Sequence, residues 1–516
     1  MSKHIGAVLG AALFSCVMGA AAAQDVELRS LDGTVELEGN LISYDGAFYR
    51  LDTVYGPLTV SAEGVSCAGP GCPDLATFVA ETRIAGAATV AAGLLPDLLA
   101  AFASAQGMAL DVETGPEGPV YILRRADGSP AARFAITPGS TDDGFLALLN
   151  GEADIALALR EPSVAEIVAS EAASPDDPPL DDRVRVLALD ALVPVVSPEN
   201  PIDALSLPDL ARLFSGDVTN WQDLGGPDAP ISLHALAPGF GLSQAFATRV
   251  LLPSEAGLSA QITRHEGAES LAQAVARDAY AVGITARSGA GAAHALPLVG
   301  TCGYPLSATL EAVKAEDYPL TAPVYMYLAP RRLPLLVRQF LAFTETEEAE
   351  RIVGEAGFVN QLLTSTPLAL QGERLSNAIR AAGEDVDLAE LQHVVEVLGS
   401  AERLSTTLRF NPGGAGLDIQ SRTSVSRLAA AIERGTFDGQ QLIFAGFSDS
   451  DGSSTMNARL SLRRAGVVLD AVLAAGVARA DRVEMTSVGF GEAMPMACDD
   501  TDWGRAVNRR VEVWVD

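Results

Sequence analysis

The sequence predicts a multi-domain α/β chain, and four observations carry that expectation. The chain has 516 residues, more than one core serves, so about three or four domains are expected. Residues 24–78 alternate apolar and polar positions between Asp-Gly and Gly-Pro turns, the signature of short strands. Residues 79–362 change texture, with strand-like apolar runs alternating with Ala- and Leu-rich helical stretches. Residues 403–516 repeat the strand–helix alternation in a smaller unit. Hydrophobic residues make up 48% of the chain, ample for several cores, and the net charge of −31 argues against nucleic acid as a partner.

Residues 1–23 read as a secretory signal. Lys3 is a short basic start, residues 5–18 the apolar core, and Ala21-Ala22-Ala23 a small-residue cleavage site. Phe14 makes residues 13–16 a poor lipidation box around Cys16. No later stretch is long and apolar enough to span a bilayer. The expectation is an exported protein of the periplasm, associated with the cell wall and outer membrane.

In residues 24–78, the strands centre on Val26-Glu27-Leu28, residues 35–39, residues 48–51 and Leu58-Thr59-Val60. Asp32-Gly33, Asp45-Gly46 and Tyr55-Gly56-Pro57 separate them. Cys67 and Cys72 flank Ala-Gly-Pro-Gly, a tight turn, and are expected to form a local disulfide in an oxidising compartment. No chemistry is visible here, and a structural or docking module is expected. Cys302 and Cys498 fall in different domains, and the sequence leaves open whether they pair.

In residues 79–362, the strand Arg83-Ile84-Ala85-Gly86 runs into Ala87, Ala88 and Thr89 and then a helix over 92–106. Backbone N–H groups at such a helix start are a natural anion seat. A second strand, 134–136, leads through Gly139, Ser140 and Thr141 into a helix over 142–150. A third, 153–158, ends just before Arg160. Three strand ends then face one cleft, the usual ligand position of open α/β sheets.

These features resemble the periplasmic substrate-binding proteins of the phosphate-transport type. The matching pieces are Gly86-x-x-Thr89-Val90, Gly139-Ser140, Gly151-x-x-Asp154-Ile155 with Arg160, Asn200-Pro201, and the run LARLFSGDVTNWQDLGG at 210–226. The resemblance implies two α/β lobes joined by crossing strands, lobe one at 79–186 and 303–362 and lobe two at 187–302. It implies a cleft lined by Ala87, Ala88, Thr89, Ser140, Thr141, Arg160, Gly239, Phe240 and Gly241. The chain departs from the family where an arginine and a Ser-Gly-Thr usually hold phosphate. Here Ile231-Ser232-Leu233-His234 leads into Pro238-Gly239-Phe240-Gly241-Leu242, and Leu159 stands where a serine is common. Each lost oxyanion contact costs about 1–3 kcal/mol. A small anion or carboxylate other than phosphate, or a protein partner on a degenerate cleft, is expected instead.

Residues 363–402 read as a connector, with Ser365-Thr366-Pro367 ending a helix and an amphipathic helix over 388–398. In 403–516, an apolar run at 442–444 leads into a loop carrying Asp449, Asp451 and Gly452, then a helix over 455–475. A carboxylate at the strand end and Arg464 on the helix suit a zwitterion, the acid taking an ammonium and the guanidinium a carboxylate.

This segment resembles the OmpA-like peptidoglycan-binding domain, an α/β sandwich. The blocks are Gly446-Phe447-Ser448-Asp449, then Asn457, Leu460-Ser461 and Arg464-Ala465, then Gly504-Arg505-Ala506-Val507-Asn508-Arg509-Arg510-Val511-Glu512. The resemblance implies that Asp449 and Arg464 hold the diaminopimelate of the wall's stem peptide, with Asn457, Arg505, Asn508 and Arg510 in support. Phe447 replaces the commoner histidine.

No catalytic constellation is expected. His4, His234, His265, His294 and His393 are scattered, and G-x-S-x-G, H-E-x-x-H and G-x-x-x-x-G-K-[ST] are absent. No metal, cofactor or catalytic residue is predicted. The expected role is a non-catalytic envelope protein that binds peptidoglycan and, through its lobes, a solute or protein partner. The alternatives are a sensor or adaptor, a diffusing transport receptor, or a peptidoglycan-active enzyme.

Overall fold

The computed structural model describes residues 25–74, 77–175, 177–238, 240–383, 386–411, 416–476 and 480–516. The expected signal segment, Cys16 and Gly239 lie outside the described residues. The chain divides into two compact units, one of residues 1–80 with 334–336 and one of all the rest.

The first unit is an antiparallel five-stranded sheet. Its order is Gly56–Ser61, Phe48–Thr53, Glu36–Tyr44, Val26–Ser30, Val65–Ala68. Alternation puts Val26, Leu28, Tyr49 and Leu51 into one small core. The fifth strand is an addition to the sequence expectation. It reads Val-Ser-Cys-Ala, half-exposed throughout, so no large apolar residues announce it. Cys67 and Cys72 are bonded, with Cα atoms 5.9 Å apart.

In the second unit the strands Val184–Val196 and Thr321–Leu328 run antiparallel and cross between two lobes. Lobe one adds Ile155–Ala158, Ala80–Ala87, Pro130–Gly139, Pro119–Arg124 and Ala109–Thr114 to their edge, in that order. Lobe two adds Ala281–Ala286, Ser232–Leu236 and Thr263–His265 on the other side. Parallel pairing of Ile155–Ala158 with Ala80–Ala87, and of Ser232–Leu236 with both its neighbours, sends the strand ends that matter toward the gap between lobes.

The C-terminal sheet has the order Ser365–Pro367, Glu402–Arg409, Arg510–Val515, Gln441–Gly446, Glu484–Gly489. Leu442 and Phe444 point to one face, where Leu428, Ile432, Val468 and Val472 of helices Ile419–Glu433 and Ser454–Ala474 meet them. Ile443, Ala445 and Trp514 point to the other face. A strand apolar on both faces needs two covers. The second cover is the segment expected to be a connector. Its Ser365–Pro367 is an edge strand against Glu402–Arg409, and Leu368, Ala378, Val394 and Leu398 pack on Ile443 and Trp514. Residues 363–402 are thus part of the sandwich, and helix Gly372–Ala381 within them escaped the sequence reading.

The sandwich grips both lobes. On lobe one, Arg427 pairs with Glu350 at 2.5 Å and Arg422 Nη2 donates to the Asp181 carbonyl at 2.9 Å. Just before the crossing strand, Asp317 takes Arg403 at 2.7 Å and Arg409 at 3.3 Å. Leading out of lobe two, Cys302 is bonded to Cys498, 196 residues on, and Thr301 Oγ1 donates to Asp500 at 2.7 Å.

Candidate functional site

The C-terminal site starts from two glycines. A Cβ on Gly446 would stand 2.0 Å from the Ser461 carbonyl, and one on Gly489 would stand 2.4 Å from Leu462 N. Only bare backbone lets helix Ser454–Ala474 lie this close to the sheet. The loop after Gly446 and the helix residue one turn beyond Ser461 are thereby brought to one patch. Asp449 sits in that loop, 7% exposed, and Arg464 is on the helix.

Asp449 Oδ2 accepts from Arg509 Nη1 at 2.5 Å. The Arg464 guanidinium lies over the Phe410 ring, 5.7 Å from its centroid. Burial and the neighbouring Arg509 pull Arg464 below the usual arginine range, while Asp449 opposes them. Arg464 Nη1 is buried with no hydrogen-bond partner among the described residues. One carboxylate thus faces two guanidiniums, and one guanidinium keeps an unfilled donor. A guanidinium and a carboxylate side by side have the chemistry to take a carboxylate and an ammonium respectively.

Arg509 and Phe410 were not singled out from sequence. Strand alternation was the available signal for Arg509, because Arg510 opens the last strand with its side chain turned inward. The expected supporting residues take other roles. Asn457, 3% exposed, donates to the Asp449 carbonyl at 3.2 Å and to Glu492 at 2.6 Å, so it shapes the loop. Asn508, 1% exposed, accepts from Met496 N at 2.7 Å and donates to Asp499 at 2.7 Å. Arg510, wholly buried, donates to Glu512 at 2.7 Å and lies over Phe447 at 4.2 Å. Burial takes Asn508 and Arg510 out of reach of a surface ligand, which corrects the expectation for them. Arg505 donates to the Asp499 carbonyl at 2.7 Å and pairs with Asp502.

The interlobe cleft is closed. A Cβ on Gly241, from lobe two, would come within 2.7 Å of Thr141 Oγ1 and 3.2 Å of Leu159 Cδ1, both from lobe one. Gln244 Nε2 donates across the gap to Asp142 at 2.6 Å. The expected anion donors are committed elsewhere. Ser140 is the N-cap of helix Thr141–Leu149, and its hydroxyl and N–H both bond Asp143. Thr141 Oγ1 accepts from Leu159 N at 3.2 Å. Arg160 forks onto Glu166 at 2.8 and 2.9 Å, pairs with Asp142 and covers the Phe145 ring. Ala87 is buried, Ala88 and Thr89 are partly buried at the helix start, and Phe240 precedes a buried Leu242. The cleft residues therefore do meet, but as a packed seam.

The histidines are less scattered than the sequence suggested. His234 and His265 lie on adjacent parallel strands, with Nδ1 and Nε2 2.9 Å apart. Burial pulls both below the ordinary histidine range. No group of three or more metal-ligating side chains occurs among the described residues.

Comparison with known proteins places these parts. The profile described as the PBP superfamily domain matches residues 75–348, more than half of the chain. The chain belongs to the PBP superfamily. The OmpA family profile matches residues 409–509, so this PBP-superfamily member also carries an OmpA domain. Both are families of binding proteins.

Among relatives, Protein SphX of Synechococcus elongatus is 29% identical over 235 residues, 42% of this chain and 66% of that protein. The peptidoglycan-binding protein ArfA of Mycobacterium bovis is 44% identical over 109 residues, 21% of this chain and 32% of that protein. The chain thus spans less than two thirds of the length of either. An ABC-type phosphate transport receptor from Vibrio cholerae has a similar structure, with a TM-score of 0.41 and 18% identity, covering 54% of this chain and 99% of that one.

Proposed function

We propose that this PBP-superfamily member is a non-catalytic envelope protein that holds peptidoglycan through its OmpA domain. The diaminopimelate end of a stem peptide is the ligand, with its carboxylate on Arg464 and its ammonium on Asp449. The observation that carries this reading is the buried, unfilled Arg464 Nη1 beside the Asp449–Arg509 pair. The similarity to ArfA, a peptidoglycan-binding protein by name, supports it. Export through residues 1–23 into the periplasm, with the wall and outer membrane as its surroundings, fits the same reading. The test is co-sedimentation with purified sacculi. Asp449→Ala with Arg464→Ala loses retention while melting stays that of the wild type, and retention at the wild-type level by that variant refutes the assignment.

The PBP lobes serve as an adaptor scaffold, not as a transport receptor. Gly241 packed on Thr141, and Arg160 neutralised by Glu166 and Asp142, favour this over a phosphate seat. Calorimetry of the whole chain against phosphate and sulfate tests it. No binding is expected, and micromolar phosphate affinity overturns it.

A further inference from the structure

A cavity of about 310 Å³ opens where the two lobes, the crossing strands and the C-terminal sandwich meet. Glu161 reaches it from lobe one, Arg249 from lobe two, Tyr325 from a crossing strand, and Gln420 and Trp503 from the sandwich. Glu316, just ahead of the crossing strand, and Arg409 and Asp418 from the sandwich add to the polar lining. Glu316 is held there with φ at 55°, a left-handed conformation that few non-glycine residues take.

Counting donors against acceptors shows what is missing. Arg249 already donates to the Thr321 carbonyl. Arg409 is paired with Asp317 and donates to the Ala315 carbonyl at 3.1 Å. Arg409 is thus paired with a carboxylate, and Arg249 donates to a neutral carbonyl. The acceptors are less well served. No hydrogen bond fills the Glu316 carboxylate among the described residues, and withdrawal from water, with Asp418 nearby, outweighs the pull of Arg409 and Arg249 and pushes it up to about 8. Gln420 is 5% exposed, and its Oε1 has no donor. Glu161, at the mouth, has the Tyr325 hydroxyl at 3.5 Å, the outer limit of a hydrogen bond. Arg409 Nε is a buried donor without a partner. The lining thus wants several N–H donors and one oxygen, beside the side chains of Trp503 and Tyr325.

We propose that this cavity binds a free amino acid or dipeptide, its ammonium on Glu316, Glu161 and Gln420 and a carbonyl or carboxylate oxygen toward Arg409. An ammonium between carboxylates and aromatic rings is a recurring way of holding amines. The volume suits one or two small residues. Both halves of the chain line the cavity, so an occupant bridges the lobes and the wall-binding domain.

The test is calorimetry and tryptophan fluorescence on the full chain, with L-alanyl-L-alanine and its N-acetylated form as probes. The free dipeptide binds saturably and the acetylated one does not. Binding of the ammonium releases the Glu316 proton to the buffer and leaves a carboxylate, so Glu316→Gln and Glu161→Gln each weaken binding by about tenfold, the loss of one charged contact. Trp503→Phe removes most of the fluorescence change while the heat of binding stays. Asp449→Ala leaves binding unchanged, which separates this cavity from the wall site. The proposal is overturned if the folded wild type gives no saturable heat up to about 10 mM dipeptide, a Kd too weak to matter. It is also overturned by equal binding of the acetylated probe, or by wild-type affinity in the folded Glu316→Gln, Glu161→Gln double variant.

Discussion

Asp449 and Arg509, 60 residues apart in the chain, are joined by a 2.5 Å hydrogen bond at the rim of the OmpA domain. Arg509 therefore positions the carboxylate that the proposed ligand needs. Arg509→Ala is expected to weaken sacculus binding by about tenfold or more, as loss of one charge-assisted bond implies, about 1.5–3 kcal/mol. Arg509 is about one third exposed, so melting should hardly move. Co-sedimentation at graded sacculus concentrations reads the first effect and thermal unfolding the second.

Arg510, its neighbour, should behave in the opposite way. It belongs to a buried network in which Glu512 also meets Arg374, Arg403 and the Trp514 indole. Burial alone would raise the Glu512 carboxyl, but the three guanidiniums outweigh it and hold it well below the usual range. Glu512→Ala leaves Arg374 and Arg510 without their carboxylate, while Arg403 keeps Asp317, and should cost about 3–5 kcal/mol. Urea denaturation measures it.

The Cys302–Cys498 bond closes a long loop, its ends 196 positions apart in sequence. In the chain-entropy account such a crosslink is worth about 5 kcal/mol. A Cys302→Ser, Cys498→Ser variant should melt lower than the wild type in oxidising buffer. In reductant the two should coincide once allowance is made for the local Cys67–Cys72 bond, which both share.

Glu316 gives a pH signature of known sign. Its folded carboxyl is raised from 4.5 to about 8, so between those values the unfolded chain has ionised it and the folded chain has not. The native state then binds more protons, and stability falls as pH rises from about 4.5 to about 8. Glu316→Gln should flatten that part of the melting-temperature profile relative to the wild type. Differential scanning calorimetry at pH 5, 6.5 and 8 checks it.

Much of this architecture is readable from residues. The three OmpA blocks and the 210–226 run are local in sequence, and local patterns carry their own spacing. Leu159, Phe240 and Leu242 announce, in sequence alone, a cleft short of oxyanion partners. Other features depend on distant pairings. The second cover of the sandwich is announced only by apolar Ile443 and Trp514 on the far side of strands that a helix already covers. Nothing local says that residues 365–398 supply it. The closing of the cleft depends on the missing Cβ at Gly241 and on the Gln244–Asp142 bond, 102 positions apart in sequence, and the pairing of Cys302 with Cys498 on a fold-level contact. Arg509 and Arg510 are adjacent and alike in sequence, and strand alternation alone sends one to the rim and the other to the core.

The central claim is that a guanidinium with an unfilled donor, poised beside a carboxylate, receives an amino-acid end of the wall peptide. Calorimetric titration of a diaminopimelate-containing muropeptide into the wild type and into Arg464→Ala tests it most directly. The expected result is saturable binding by the wild type and at least about tenfold weaker binding by the variant, a loss of 1.4 kcal/mol or more. Equal affinities for the two proteins, both folded, would contradict it.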